Sequence, residues 1–291
     1  MTRRARNHQS SVPWEAILWR ALLLLAVGLL LQEPEHEIRV ILTTYAALFL
    51  AGLPLIRAGS RLLLALTVAS VGLGPLLWIL IQDHQEHGFK REPVTAAEPP
   101  WEILTDVLVT GPYPAVVWAA PFLFGMWLGR LDLAQPKIST RLILWGGLTA
   151  AAAHVASLTL IGVFGEPSSH NDWQRLVSDV AHSEMPLWIL GGGGAAVFVL
   201  GVCLKVPGWS GPGARSLAAL GRMALTAYAA HLLVLALVVR PGPETLLGGL
   251  TTTIALCTGL ILFAILWFRV AHQGPLEALL RPPWDRSRSK R

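Results

Sequence analysis

Eight apolar stretches, near residues 14–31, 38–56, 62–81, 115–128, 142–164, 187–204, 217–239 and 246–268, fill most of the chain and leave short polar segments between them. Most approach the length of about 20 residues that a helix needs to cross a hydrocarbon layer about 30 Å thick. Backbone N–H and C=O groups find no water inside such a layer, so segments of this length must satisfy their hydrogen bonds internally, as helices. Charged residues make up 14% of the chain against about 25% in a soluble domain, which excludes an ordinary globular fold. The expected fold is all-α: a polytopic transmembrane helical bundle of about eight spans, one domain over 14–272 between a basic N-terminus, 1–13, and a basic tail, 273–291. The stretch 115–128 is short and contains Pro121, which predicts a kink or a re-entrant path.

Charge sets the expected orientation. With eight spans and a cytoplasmic N-terminus, only Arg39, Lys90, Arg91, Arg175 and Arg240 of the 23 Lys/Arg fall on the outer side. This is the positive-inside distribution, and it predicts both termini in the cytoplasm and the plasma membrane as location. The pI near 9.7 is then explained by the inner loops and the tail, with no nucleic-acid partner and the lipid bilayer as the surface met. Cys203 and Cys257 lie inside apolar runs and offer neither a disulfide framework nor a zinc spacing. His84 and His87 flank Glu86 in the first long outer segment, but no further ligand spacing supports a metal there, and no metal or bound cofactor is expected. The tryptophans near the predicted boundaries, Trp14, Trp78, Trp101, Trp118, Trp173, Trp188 and Trp284, read as an aromatic belt.

The polar residues that carry chemistry are few. The second long outer segment, 165–185, holds His170, Asp172, Asp179, His182, Ser183 and Glu184. If it is helical, Asp179 stands one turn before His182, and a carboxylate there orients the imidazole and stabilises its cation, the arrangement of a general base. The bland reading is a helix start, with Ser183 as N-cap and Pro186 in the first turn. Gly191 to Gly194 follow at once; lacking a Lys-Ser/Thr ending, they read as a close helix contact and not a phosphate loop. Within the membrane, Tyr228 and His231 lie about 60° apart on one helix face. With His154 they are candidates to line a path or substrate site, each also open to a simple interhelical hydrogen bond.

Four stretches resemble one family. They are Thr110-Gly-Pro-Tyr-Pro to Trp118 closing at Gly129-Arg130-Leu-Asp132, then Ala181-His182-Ser183, then Leu220-Gly-Arg-Met-Ala-Leu-Thr-Ala-Tyr228 with His231, and Gly274-Pro-Leu-Glu277 with Arg281. In this order they are similar to the bacterial YeiB-like multi-pass membrane proteins, related to the heparan-alpha-glucosaminide N-acetyltransferase group. The resemblance implies a helical bundle and, for the acetyltransferase branch, transfer of an acyl group from cytoplasmic acyl-CoA, as co-substrate, to an envelope sugar or lipid. Arg130, Arg222 and Arg281, with Arg215, would then hold CoA phosphates. The structural alternative for Glu277 is to pair with one of these arginines and clamp the C-terminal segment. Such proteins open with one or two further spans bearing a Leu-Asp-x-x-Arg-Gly-like signature, which is not found ahead of Trp14. That part of the pattern is expected to be missing, and the family's active-site histidine maps to no residue here. A transport or export component of the envelope, its path lined by His154, Tyr228 and His231, is the other expectation.

Overall fold

The computed structural model describes residues 14–33, 38–83, 93–167, 173–205 and 211–284. His84, Glu86, His87, His170 and Asp172 lie outside them. Among the described residues every regular element is helical. Five helices are long and apolar enough to cross a membrane: α1 (Trp14–Gln32), α3 (Ser60–Asp83), α6 (Pro136–Phe164), α7 (Pro186–Lys205) and α10 (Leu246–Val270). Counting two bent pairs as one span each brings the total to seven.

Each departure from eight straight spans has an identifiable cause. The second apolar run forms only α2 (Leu42–Gly52) and a 3₁₀ turn (Leu53–Arg57). Its entry is pinned by buried Gln32, whose Oε1 accepts from Val40 N at 2.9 Å and whose Nε2 donates to Ile38 O at 3.2 Å. The fourth, α5 (Ala115–Leu128), meets the preceding pair of α4 (Pro100–Thr105) and a π turn (Asp106–Thr110) at 62°, with Gly-Pro-Tyr-Pro at the corner. Pro112 and Pro114 cannot donate to a continuing helix, so the corner falls where the sequence puts them.

The seventh run, expected as one span over 217–239, is broken. Met223 has φ −123° and ψ 39°, and α8 (Pro212–Arg222) meets α9 (Ala224–Val234, continued by a π turn, Leu235–Val239) at 86°. The apolar length of the run does not reveal this break, because Arg222 is the only charge between Leu217 and Val239. Its cost, orphaned N–H groups at the new helix start, is met from the far end of the chain. Glu277, on α11 (Pro275–Leu279), accepts from Leu225 N at 2.7 Å, Thr226 N at 3.1 Å and Thr226 Oγ1 at 2.6 Å, and Thr226 Oγ1 accepts in turn from Leu276 N at 3.0 Å. The expected clamp by Glu277 therefore grips a helix N-terminus, where a carboxylate also complements the helix dipole, and not an arginine.

Packing follows small residues. Gly194 on α7 lies against Gly146 and Ala150 on α6, and Gly201 against Ile143 and Ser139, so close that an added Cβ at Gly194 would stand 2.7 Å from Ala150 N. Of the four-glycine run only Gly194 makes such an approach; Gly192 and Gly193 face open space. One cluster of buried side chains joins α1, α2 and α9 around Leu31, Leu42 and Leu232, and a second joins α3, α5 and α7 around Trp78, Val117 and Met185. The C-terminal segment closes onto α1, with Trp19 Nε1 donating to Leu279 O at 2.8 Å and Trp19 edge-on to Trp284.

Candidate functional site

The chain has three tyrosines, and all of them meet at one end of the bundle. Tyr45 comes from the first turn of α2, Tyr113 from the Gly-Pro-Tyr-Pro corner and Tyr228 from α9, each within electrostatic reach of the others. Thr44 Oγ1 donates to Tyr113 O at 2.6 Å, which fixes the corner against α2. Tyr228 stands 5.2 Å, ring to ring, from His231, and its hydroxyl accepts from Ile41 N at 3.4 Å. Arg39 and Glu184 act on Tyr113 with opposite signs of charge. Glu184 is 2% exposed.

Around Tyr113 four rings form a closed circuit. Tyr113 is 5.6 Å from Trp118, Trp118 5.6 Å from Trp188, Trp188 5.8 Å from His182, and His182 5.9 Å from Tyr113. His182 is exposed, while the tryptophans are half-buried. His182 and Glu184 both adopt left-handed backbone conformations, φ 59° and 64°, uncommon for residues with a Cβ and found where surrounding structure over-determines the chain, often at functional sites. Ser183 Oγ, between them, accepts from Met185 N at 3.4 Å and supports this turn.

The segment carrying Asp179 is not helical, so Asp179 does not stand one turn before His182. It reaches α6 instead, where its Oδ2 lies 2.6 Å from His154 Nδ1. Ser157, fully buried, places it: Ser157 Oγ donates to Val177 O at 2.6 Å and accepts from Asp179 N at 3.2 Å. The hydrogen bond with His154, aided by Ser157 and opposed by desolvation, holds the Asp179 carboxyl below the usual carboxylate range. A carboxyl lowered on folding contributes stability above its unfolded value, about 3.9, and loses it as pH falls through the lowered value. The difference in melting temperature between wild type and Asp179→Asn is therefore expected to be widest above about pH 4 and to close in stronger acid; a difference independent of pH would refute the assignment.

The profile of a family described as a protein of unknown function, DUF418, matches residues 133–283. The chain belongs to the DUF418 family. No curated protein and no solved structure gives a significant match. The matched part of this DUF418 protein runs from the turn before α6 into the C-terminal segment, and so contains His154, Asp179, His182, Glu184, Trp188, Tyr228, His231 and Glu277.

The expected site residues of the DUF418 protein divide into groups. Tyr228 and His231 are brought together with the ring circuit's end of the bundle, and His154 pairs with Asp179 outside it. Arg130 serves the chain itself: its guanidinium donates to the carbonyls of Ala58, Ile56 at 3.1 Å and Leu55 at 3.3 Å, ending the 3₁₀ turn after α2. Arg222 donates to His272 O at 3.0 Å and covers the Phe268 ring at 4.2 Å. Arg281 is oriented to donate to the Gln273 amide oxygen. Trp14 and Trp101 are exposed like belt residues, but Trp78 is buried, and Trp118 and Trp188 belong to the ring circuit. In the sequence Glu184 stands out only as one of the polar residues of 165–185, Trp118 and Trp188 only as belt residues, and Tyr113 only by its flanking prolines.

Proposed function

We propose that this DUF418 protein is a plasma-membrane acyltransferase, moving an acyl group from cytoplasmic acyl-CoA to a hydroxyl or amine of an envelope sugar or lipid held at the tyrosine-rich end. One observation carries the reading: Tyr45, Tyr113 and Tyr228 gather beside the ring circuit that holds exposed His182, where hydroxyls and aromatic faces together suit a sugar or headgroup acceptor. The open surface at the start of α6, lined by Pro136, Lys137, Thr140 and Arg141, offers cations and a helix N-terminus for the phosphates of CoA. The acceptor stacks against the exposed ring of His182 beside Tyr113.

The test is transfer of labelled acyl groups from acyl-CoA to envelope acceptors in proteoliposomes. Wild type is expected to transfer, and His182→Ala to raise the acceptor KM about tenfold, the effect of losing about 1.4 kcal/mol of binding. No transfer from short- or long-chain acyl-CoA would overturn the reading. Transfer with an unchanged KM would remove His182 from the acceptor site. A second reading, a transport or export component, is favoured by the hydrogen bonds that commit Arg130 and Arg222 to backbone carbonyls; it requires solute flux across vesicles without acyl-CoA.

A further inference from the structure

We infer that the proton of the acceptor's hydroxyl or amine is taken by His154, with Asp179 as its positioning residue, on the exposed flank of α6. This rests on the acyl-transfer reading and adds to it a catalytic residue distinct from the His182 ring circuit.

An ionised carboxylate only accepts hydrogen bonds, so the 2.6 Å contact puts a proton on Nδ1 of His154, and the neutral form of that ring carries its lone pair on Nε2. Among the described residues Nε2 has no hydrogen-bond partner. The ring is open to an incoming group, its side chain 62% exposed against 23% for Asp179. Asp179 is itself held by Ser157, so the pair is braced from the bundle side and free on the other. His154 stands ten residues before Phe164, the last residue of α6, about 15 Å of rise. Ionisable groups on a membrane helix face partners or polar surroundings; Asp179 is one such partner, and the exposed side of the ring suits a polar substrate better than hydrocarbon. Asp179 and His182 are three residues apart, which limits their separation to about 10 Å of extended chain, so a group stacked at His182 has its reacting atom within reach of the His154–Asp179 pair.

The step balances as follows. The acceptor oxygen or nitrogen attacks the thioester carbonyl, its proton passes to Nε2, the carbon–sulfur bond breaks, and the proton returns to the departing thiolate to give the acylated acceptor and the free thiol. Asp179 stabilises the imidazolium between these events and keeps its own charge.

The experiment is labelled acyl transfer by the full chain in proteoliposomes, with acyl-CoA and acceptor varied separately. His154→Ala is expected to lower kcat about 10²–10⁴-fold with the acceptor KM nearly unchanged, and added imidazole to restore part of it. Asp179→Asn is expected to lower kcat about 10–100-fold, as loss of a carboxylate that orients an imidazole does at metal-bound histidines, and Asp179→Glu to recover part of the loss. Active wild type with unaltered kcat in both His154→Ala and Asp179→Asn would overturn the dyad and leave acyl transfer standing. A loss of kcat without imidazole rescue would make His154 structural and would also overturn it. Inactive wild type would overturn both.

Discussion

Glu277→Ala is expected to destabilise the protein by about 3 kcal/mol or more, since hydrogen bonds to a charged group contribute about 1.5–3 kcal/mol each and three converge on this carboxylate. The loss does not stop at the bonds. Leu225 N and Thr226 N would be left at a helix start with no preceding turn to receive them, because α8 departs at 86°. Thermal unfolding in detergent should show a drop in Tm of about 6–12 °C, and Glu277→Gln, which keeps an acceptor oxygen without the charge, a smaller one. Gly274→Ala should resemble Glu277→Ala, since its Cβ would stand 2.0 Å from Glu277 Oε2 and 2.7 Å from Met223 Cβ. Wild-type melting of Glu277→Ala would show that the broken helix is held by something else.

The second large effect belongs to the α6–α7 pair. An alanine Cβ at Gly194 would meet backbone atoms of the facing helix, Ala150 N at 2.7 Å and Gly146 O at 2.8 Å, and backbone cannot move aside as a flexible side chain can. Overpacking of this kind costs about 1–3 kcal/mol. Gly192→Ala, two residues away and facing open space, should be neutral or stabilising by up to about 1 kcal/mol, because alanine is the better helix former. The two variants compared in one melt isolate the contact from helix propensity. Equal behaviour would mean that α6 and α7 do not meet along this stripe.

Sequence alone revealed the apolar runs, hence the helical bundle, because hydrophobic length is a local property. It did not reveal the break at Met223, which is specified by Glu277, 54 positions later, and not by polarity at the break itself. The site was half legible for a similar reason. Asp179 and His182 were visible as polar residues in one segment, but their partnership was inferred from a helical turn that does not form. The true partner of Asp179 lies 25 residues earlier on α6, brought close by Ser157, an inconspicuous residue in an apolar helix. Arg130 and Arg222 were legible as cations, yet their role as donors to backbone carbonyls depends on where helices end. Glycine positions were legible as a class; which one of the four packs depends on helix rotation, and that is settled by the neighbour.

The bond between Glu277 and the start of α9 also orders the assembly of the chain. In a polypeptide made from its N-terminus, Leu225 N and Thr226 N stay uncapped until Glu277, 52 positions beyond Leu225, has been synthesised. The final seating of α9 therefore waits on the C-terminal segment, after α10 has already been made.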